Sequence, residues 1–182
     1  MIRALTPADA PLTVRSFFES GQPGPITATM AHVPELLNAT MPFVGAALSP
    51  AALGFREKEL IILRTSVLQQ CRYCVGTHSV VALQAKLSDA EIEALRSPEI
   101  PAGLFSAREQ VLLQWVDRLA QTAGALTEAA RQELLEHYEE HEVVDLLICS
   151  GATVMLNRYA TALELPLAPA HIEILTEKGW LG

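Results

Sequence analysis

The sequence has few aromatic residues, no basic cluster and no long uninterrupted apolar run. Phe, Trp and Tyr make up 5% of the 182 residues while 50% are hydrophobic, so small and branched aliphatic side chains must build the core, as in helical packing. No Lys or Arg has a basic neighbour in sequence, and the formal net charge is −8. Nucleic acid and anionic membranes are therefore disfavoured as partners, and a single all-α domain spanning residues 1–182 is predicted.

The sequence predicts neither a secretory signal nor a membrane span. Met1-Ile2-Arg3 leads to Pro7 and Asp9 without an apolar segment of signal-peptide length. The longest apolar stretch, residues 143–156, contains Asp145 and is shorter than the roughly 20 apolar residues that a span requires. We therefore expect a cytoplasmic protein in which this stretch forms a buried helix.

Helix start signals recur along the chain and predict a bundle of about seven helices. Ser88 with Glu91, and Ser106 with Glu109, each fit a capping box, in which both residues satisfy free backbone N–H groups. Between the start signals, apolar residues recur at helical spacing and do not alternate as in a strand. Three further starts are predicted where a proline would take the first helical position: Thr6-Pro7, Val33-Pro34 and Ser49-Pro50.

One segment carries residues suited to redox chemistry. Cys71, Cys74 and His78 would lie along one face of a helix, because their spacing is i, i+3, i+7. Two thiols at this spacing can close a disulfide, and a nearby His can accept a thiol proton. Glu59 would lie off that face on one straight helix, so a break near Gln70 is needed to bring it back.

Spacing alone leaves redox work, metal binding and an incidental cysteine pair open. Zinc could take Cys71, Cys74, His78 and Glu59 as a tetrahedral ligand set, but the sequence contains no second C-x2-C. Its H-x3-H pair, His137 and His141, lies among glutamates and is interpreted as part of a solvent-exposed helix face. A redox role without a metal or cofactor is therefore favoured. The third cysteine, Cys149, lies in the apolar stretch and is interpreted as a buried structural thiol.

An arginine in an apolar helix also needs an explanation. Arg64 lies among Leu60, Ile61, Ile62 and Leu63, and a guanidinium in such surroundings requires hydrogen-bond acceptors. We expect it to meet a carboxylate or the C-terminus of another helix.

The redox segment and its surroundings resemble the AhpD-like branch of the carboxymuconolactone decarboxylase superfamily. The resemblance rests on the pattern E-x11-C-x2-C-x3-H, with Glu-Lys-Glu-Leu-Ile-Ile-Leu-Arg at 57–64 and Tyr-Cys-Val-Gly-Thr-His at 73–78. Weaker similarity extends from about Val33 to the region of Asn157 and Arg158. It covers most of the chain, although only the four-residue pattern is specific.

The resemblance implies a fold, an activity and roles for four residues. It implies an all-helical homo-oligomer, a trimer or a hexamer, that reduces hydroperoxides. Carried over by position, Cys74 is the attacking thiolate, Cys71 the resolving thiol, and His78 and Glu59 the proton relay. A dithiol reductant or a redox partner protein would then reset the pair.

This sequence departs from the family pattern at two positions. Tyr73 stands between the cysteines where the best-known peroxidases carry a histidine, so the relay is expected to be shorter or weaker. Lys86 stands where members have the glycine that ends the helix in a left-handed turn.

Two other functions remain open at this point. A redox sensor or assembly protein would use the same disulfide without turning over a substrate. A proton-transfer enzyme acting on a lactone or β-keto acid would use His78 and Glu59 alone.

Overall fold

The computed structural model describes residues 2–101, 103–121 and 127–181, and all regular secondary structure in these ranges is helical. The predicted all-α class is therefore confirmed, with nine α-helices and one 3-10 helix in the described ranges against about seven predicted. The excess includes short elements. In chain order the elements are a 3-10 helix Leu12–Phe18, α1 Pro25–Met30, α2 Pro34–Leu48, α3 Phe55–Leu68, α4 Arg72–Gln84, α5 Asp89–Arg96, α6 Ala107–Gln121, α7 Glu128–Leu135, α8 Glu140–Ala162 and α9 Pro169–Glu177.

Three of the five predicted helix starts are present. The starts at Ser88, Ser106 and Pro34 are confirmed, and the first two form the reciprocal hydrogen bonds of a capping box. The predicted start at Thr6 is wrong. The Thr6 carbonyl accepts hydrogen bonds from the Asp9 and Ala10 N–H groups, which form a single turn. Pro11 has no N–H group, so the turn does not continue as a helix.

The predicted start at Ser49 is also wrong. Ser49 caps the end of α2, and α3 begins only at Phe55. The reason is a long-range contact: the Leu53 N–H donates to the Asp145 carboxylate on α8 at 2.9 Å. This bond connects the segment between α2 and α3 to α8 and holds that segment in a non-helical conformation.

Helix α3 is the centre of the bundle and packs against α4, α6 and α8. Every residue from Lys58 to Ser66 is buried, so its polar side chains need partners inside the protein. Lys58 is fully buried, and its Nζ donates to the Ala47 carbonyl at 2.8 Å and to the Asp145 carboxylate. These contacts join α2, α3 and α8 one residue away from Glu59.

Arg64 is fully enclosed by acceptors. Its Nε and one terminal nitrogen donate to the two Asp117 carboxylate oxygens at 2.7 and 3.1 Å. The terminal nitrogens also donate to the Leu95, Ser97 and Pro98 carbonyls at 3.1, 2.6 and 3.1 Å. Arg64 thus meets both kinds of acceptor expected from the sequence, because the Leu95 and Ser97 carbonyls lie at the C-terminal end of α5.

Helix α8 is long and apolar enough, by length and composition only, to cross a membrane. Within its most apolar 18-residue window, 44% is buried in the fold, and core helices of soluble proteins meet the same criteria, so this is weak evidence of a span. The exposed side of α8 carries four large apolar residues, each 41–60% exposed: Val144, Leu147, Ile148 and Met155. We call these four residues the α8 apolar face.

Candidate redox site

The break expected near Gln70 is present and brings Glu59 and His78 together. Helix α3 ends at Leu68, and Gln70 adopts a left-handed conformation with φ of 54°. The Cys71 N–H donates to the Ser66 carbonyl at 3.0 Å, and the Gln70 N–H donates to the Val67 carbonyl at 3.0 Å, which completes a Schellman turn. Helix α4 then packs against α3.

The two cysteines lie at the beginning of α4. Cys71 is the N-cap residue, its sulfur accepts the Cys74 N–H at 3.3 Å, and both side chains are buried. The pair forms a disulfide with the Cα atoms 5.3 Å apart. A helix N-terminus presents unpaired N–H groups and a positive dipole end, which favours a thiolate there once the disulfide is reduced.

His78 and Glu59 form a hydrogen-bonded pair in which Glu59 is buried and His78 is partly buried. His78 Nδ1 lies 2.9 Å from Glu59 Oε2, and the two side chains are 21% and 3% exposed. A carboxylate at Nδ1 fixes the orientation and tautomer of the imidazole. The other ring nitrogen, Nε2, then remains for proton exchange with a neighbouring group.

A largely apolar cavity of about 220 Å³ joins Cys74 to His78. Both side chains line it, together with apolar residues of α1, α2 and α8. Cys71 and Glu59 are not among the lining residues. The two cysteines are therefore not equivalent, because only Cys74 faces the space in which a small molecule would meet His78.

Tyr73 takes part in the cavity wall as a neutral group. Burial raises the pKa of Tyr73 above its ordinary value, so its hydroxyl stays protonated at neutral pH. Its hydroxyl oxygen lies 3.9 Å from the position that a Cβ on Gly24 would occupy, which places it against the N-terminal segment. Tyr73 therefore cannot accept a proton as an imidazole would at this position.

Lys86 adopts the conformation that glycine usually provides. Its φ is 63°, which costs a non-glycine residue about 1 kcal/mol. The turn forms nonetheless, because the Lys86 and Leu87 N–H groups donate to the Leu83 and Ala82 carbonyls at 3.1 and 3.0 Å. The substitution of glycine by lysine thus leaves the left-handed turn after α4 in place.

Cys149 lies apart from the disulfide and is fully buried. Burial raises the pKa of its thiol to about 12, so the thiolate fraction at neutral pH is negligible. This agrees with the interpretation of a structural thiol. Among the described residues, no group of three or more His, Cys, Asp or Glu side chains is arranged to hold a metal ion.

Two buried polar residues of the cavity were not among the candidates predicted from the sequence. Ser66 on α3 and Asn157 on α8 both line the cavity and are bonded to each other across 91 residues of sequence. An amide in an apolar helix is the only signal that singles out Asn157, and it gives no indication of which side chain it meets.

The all-helical bundle carries a cysteine pair at a helix N-terminus and a Glu–His pair beside it. Residues 34–118 match the model of the carboxymuconolactone decarboxylase family, and the fold is that of solved AhpD-like proteins. No protein of curated function matches the chain.

Solved structures with the same fold include two proteins without an established function and one debrominase. An uncharacterized peroxidase-related protein from Silicibacter sp. TM1040 is 23% identical, with a TM-score of 0.82 and coverage of 93% of each chain. A putative antioxidant defence protein AhpD from Agrobacterium tumefaciens is 26% identical, with a TM-score of 0.70 and coverage of 76% of this chain and 94% of that one. The debrominase Bmp8, solved with 2,3,4-tribromopyrrole, is 18% identical, with a TM-score of 0.78 and coverage of 98% and 97%.

Proposed function

We propose that the protein is a thiol-dependent peroxidase that reduces hydroperoxides through Cys74 and Cys71. The observation that carries the proposal is that Cys74 and His78 line the same cavity, while Glu59 Oε2 lies 2.9 Å from His78 Nδ1. The peroxidase-related and antioxidant names of the similar structures agree with it. The debrominase shares the fold, so the fold alone does not select the reaction.

In the proposed cycle, the reduced Cys74 thiol first gives its proton to His78 Nε2. The thiolate attacks the terminal oxygen of the hydroperoxide, the O–O bond breaks, and the leaving alkoxide takes the proton from His78, which releases an alcohol. The sulfenic acid on Cys74 then condenses with the Cys71 thiol, so that the disulfide forms and water leaves. The Cα atoms of Cys71 and Cys74 lie 5.3 Å apart, a separation that a disulfide spans.

The cycle needs an electron donor and is proposed to run in an oligomer. A dithiol reductant or a redox partner protein restores the two thiols by exchange, and a reducing cytoplasm would supply such donors. The α8 apolar face is an area that a second copy would cover in a homo-oligomeric trimer or hexamer.

Thiol titration tests the proposal directly. One equivalent of an organic hydroperoxide is expected to remove two thiols from the reduced native protein, because Cys74 and Cys71 react and the buried Cys149 does not. Titration after unfolding in denaturant should then find one remaining thiol. Steady consumption of hydroperoxide with a dithiol reductant is the second requirement, since a redox sensor would lose two thiols without sustained turnover.

A result with no thiol loss would contradict the peroxidase proposal. Stoichiometric zinc in the purified protein would then favour a metal site at the same residues. Thiol loss that involves Cys149 would contradict the assignment of the reactive pair.

Glu59→Gln is expected to lower the rate of hydroperoxide reduction by about 10- to 100-fold. The amide can still accept a hydrogen bond from His78 Nδ1, but it lacks the charge that stabilises the protonated imidazole. Stopped-flow measurement of Cys74 oxidation in Glu59→Gln, His78→Ala and the double variant checks this. Because the pair acts as one unit, the double variant should be no slower than His78→Ala alone; fully multiplicative losses would contradict the relay.

A further inference from the structure

Asn157 has a buried polar atom that the proposed cycle does not yet use. The residue is 1% exposed, and its Nδ2 donates to Ser66 Oγ at 3.1 Å. Its Oδ1 is buried and accepts no hydrogen bond from the described residues. A buried carbonyl oxygen without a donor is unfavourable and uncommon in folded proteins, so a role in binding is the natural explanation for its place in the cavity wall.

We propose that Asn157 Oδ1 accepts the hydrogen bond of the hydroperoxide O–H group and so orients the substrate toward Cys74. The inference rests on the peroxidase function proposed above. A hydroperoxide has one O–H donor, and Asn157 lines the same cavity as Cys74 and His78. With the terminal O–H bound at Asn157, the inner oxygen is free to take its proton from His78 Nε2.

The amide is held in place by the packing of two helices. Ser66 is fully buried on α3, the helix that also carries Glu59, and Asn157 is on α8. In the structure Nδ2 is the end of the amide that bonds to Ser66 Oγ, and Oδ1 is the end that remains unpaired. An acceptor oriented in this way before binding loses little freedom when the substrate arrives.

The rest of the cavity predicts what the other end of the substrate is. The exposed surface of the cavity is mainly apolar, and Val44 and Leu48 of α2 and Leu156 of α8 are among the residues that line it. Such a surface gains free energy when it covers an apolar group. The substrate class is therefore a hydroperoxide on a compact apolar group, with its single donor at Asn157.

The test compares two reagents that the Cys74 thiolate attacks. Cumene hydroperoxide carries an O–H donor, whereas methyl methanethiosulfonate also reacts with a thiolate but has neither an O–H nor an N–H group. In Asn157→Leu, a substitution that keeps the number and branching of the side-chain heavy atoms, oxidation of Cys74 by cumene hydroperoxide is expected to slow about tenfold. Reaction of Cys74 with methyl methanethiosulfonate should keep its wild-type rate.

Three results would overturn the proposal in distinguishable ways. Equal losses with both reagents would show that Asn157 acts only through the structure or the reactivity of Cys74. An unchanged rate with cumene hydroperoxide would show that Oδ1 binds nothing of importance. A wild-type protein that reacts with methyl methanethiosulfonate but not with the hydroperoxide would refute the peroxidase function on which this inference rests. If Asn157→Leu does not fold, Asn157→Ala provides the same comparison of the two reagents.

Discussion

Cys74→Ser is expected to reduce hydroperoxide turnover to the level of the uncatalysed reaction. The alcohol of serine is not ionised by a neighbouring imidazole to the extent that a thiol is, and its oxygen does not form the sulfenic acid or the disulfide. Cys74 is the cysteine that lines the cavity beside His78. Coupled consumption of a dithiol reductant during steady turnover measures the loss.

Cys71→Ser is expected to behave differently from Cys74→Ser, and this contrast tests the direction of the cycle. Without the resolving thiol, Cys74 should react once and stop as a sulfenic acid, which a carbon-acid reagent such as dimedone traps. Cys149→Ala is the matched control, because the Cys149 thiol is fully buried and burial raises its pKa to about 12. It should retain wild-type turnover.

Two outcomes would contradict these roles. A sulfenic acid trapped in Cys74→Ser and not in Cys71→Ser would reverse the assignment of attacking and resolving thiols. Full activity on a lactone or β-keto acid in a protein lacking both thiols would instead favour the proton-transfer function of His78 and Glu59.

Arg64→Met is expected to destabilise the protein by about 3 kcal/mol, because the fully buried guanidinium is the donor to several acceptors that would be left unpaired. The variant keeps much of the side-chain volume but leaves the Asp117 carboxylate and the Leu95, Ser97 and Pro98 carbonyls without their donor. Urea unfolding at a fixed protein concentration, monitored by circular dichroism, measures the change in the free energy of unfolding.

The matched control for this prediction is Arg131→Met. Arg131 pairs with Glu128 one turn away, and both side chains are exposed, so its loss should lower the stability much less than the loss of Arg64 does. A shift for Arg64→Met no larger than that for Arg131→Met would mean that water replaces the guanidinium at little cost. Arg64 would then not be what holds α3 to α5 and α6.

The redox pair was predictable from the sequence because its geometry is local. The spacing of Cys71 and Cys74 places two sulfurs within one helical turn, and a single break at Gln70 suffices to return His78 to Glu59. The need for that break followed from the position of Glu59 alone. The left-handed conformation of Gln70 was not predictable from the sequence, since glutamine rarely adopts it.

The cavity was not predictable because it depends on contacts between distant segments. The hydrogen bond between Asn157 and Ser66 spans 91 positions in sequence, and the hydrogen bond from the Leu53 N–H to Asp145 spans 92. Because the Leu53 bond holds the segment after α2 in a non-helical conformation, α3 does not begin at Ser49. Sequence periodicity reports the inward side of each helix but not which helix it faces, so the fold class was predicted and the walls of the site were not.

Some residues of the cavity wall lie inside the segment that matches the family model, and others lie outside it. Cys74, His78 and Glu59 lie inside residues 34–118, whereas Ile26 and Thr27 on one side and Leu156 and Asn157 on the other lie outside them. Part of the binding space can therefore be reshaped by substitutions outside the segment that carries the two cysteines, His78 and Glu59. A protein engineer can alter substrate choice at Ile26, Thr27 or Leu156 and leave the sequences of α3 and α4 as they are.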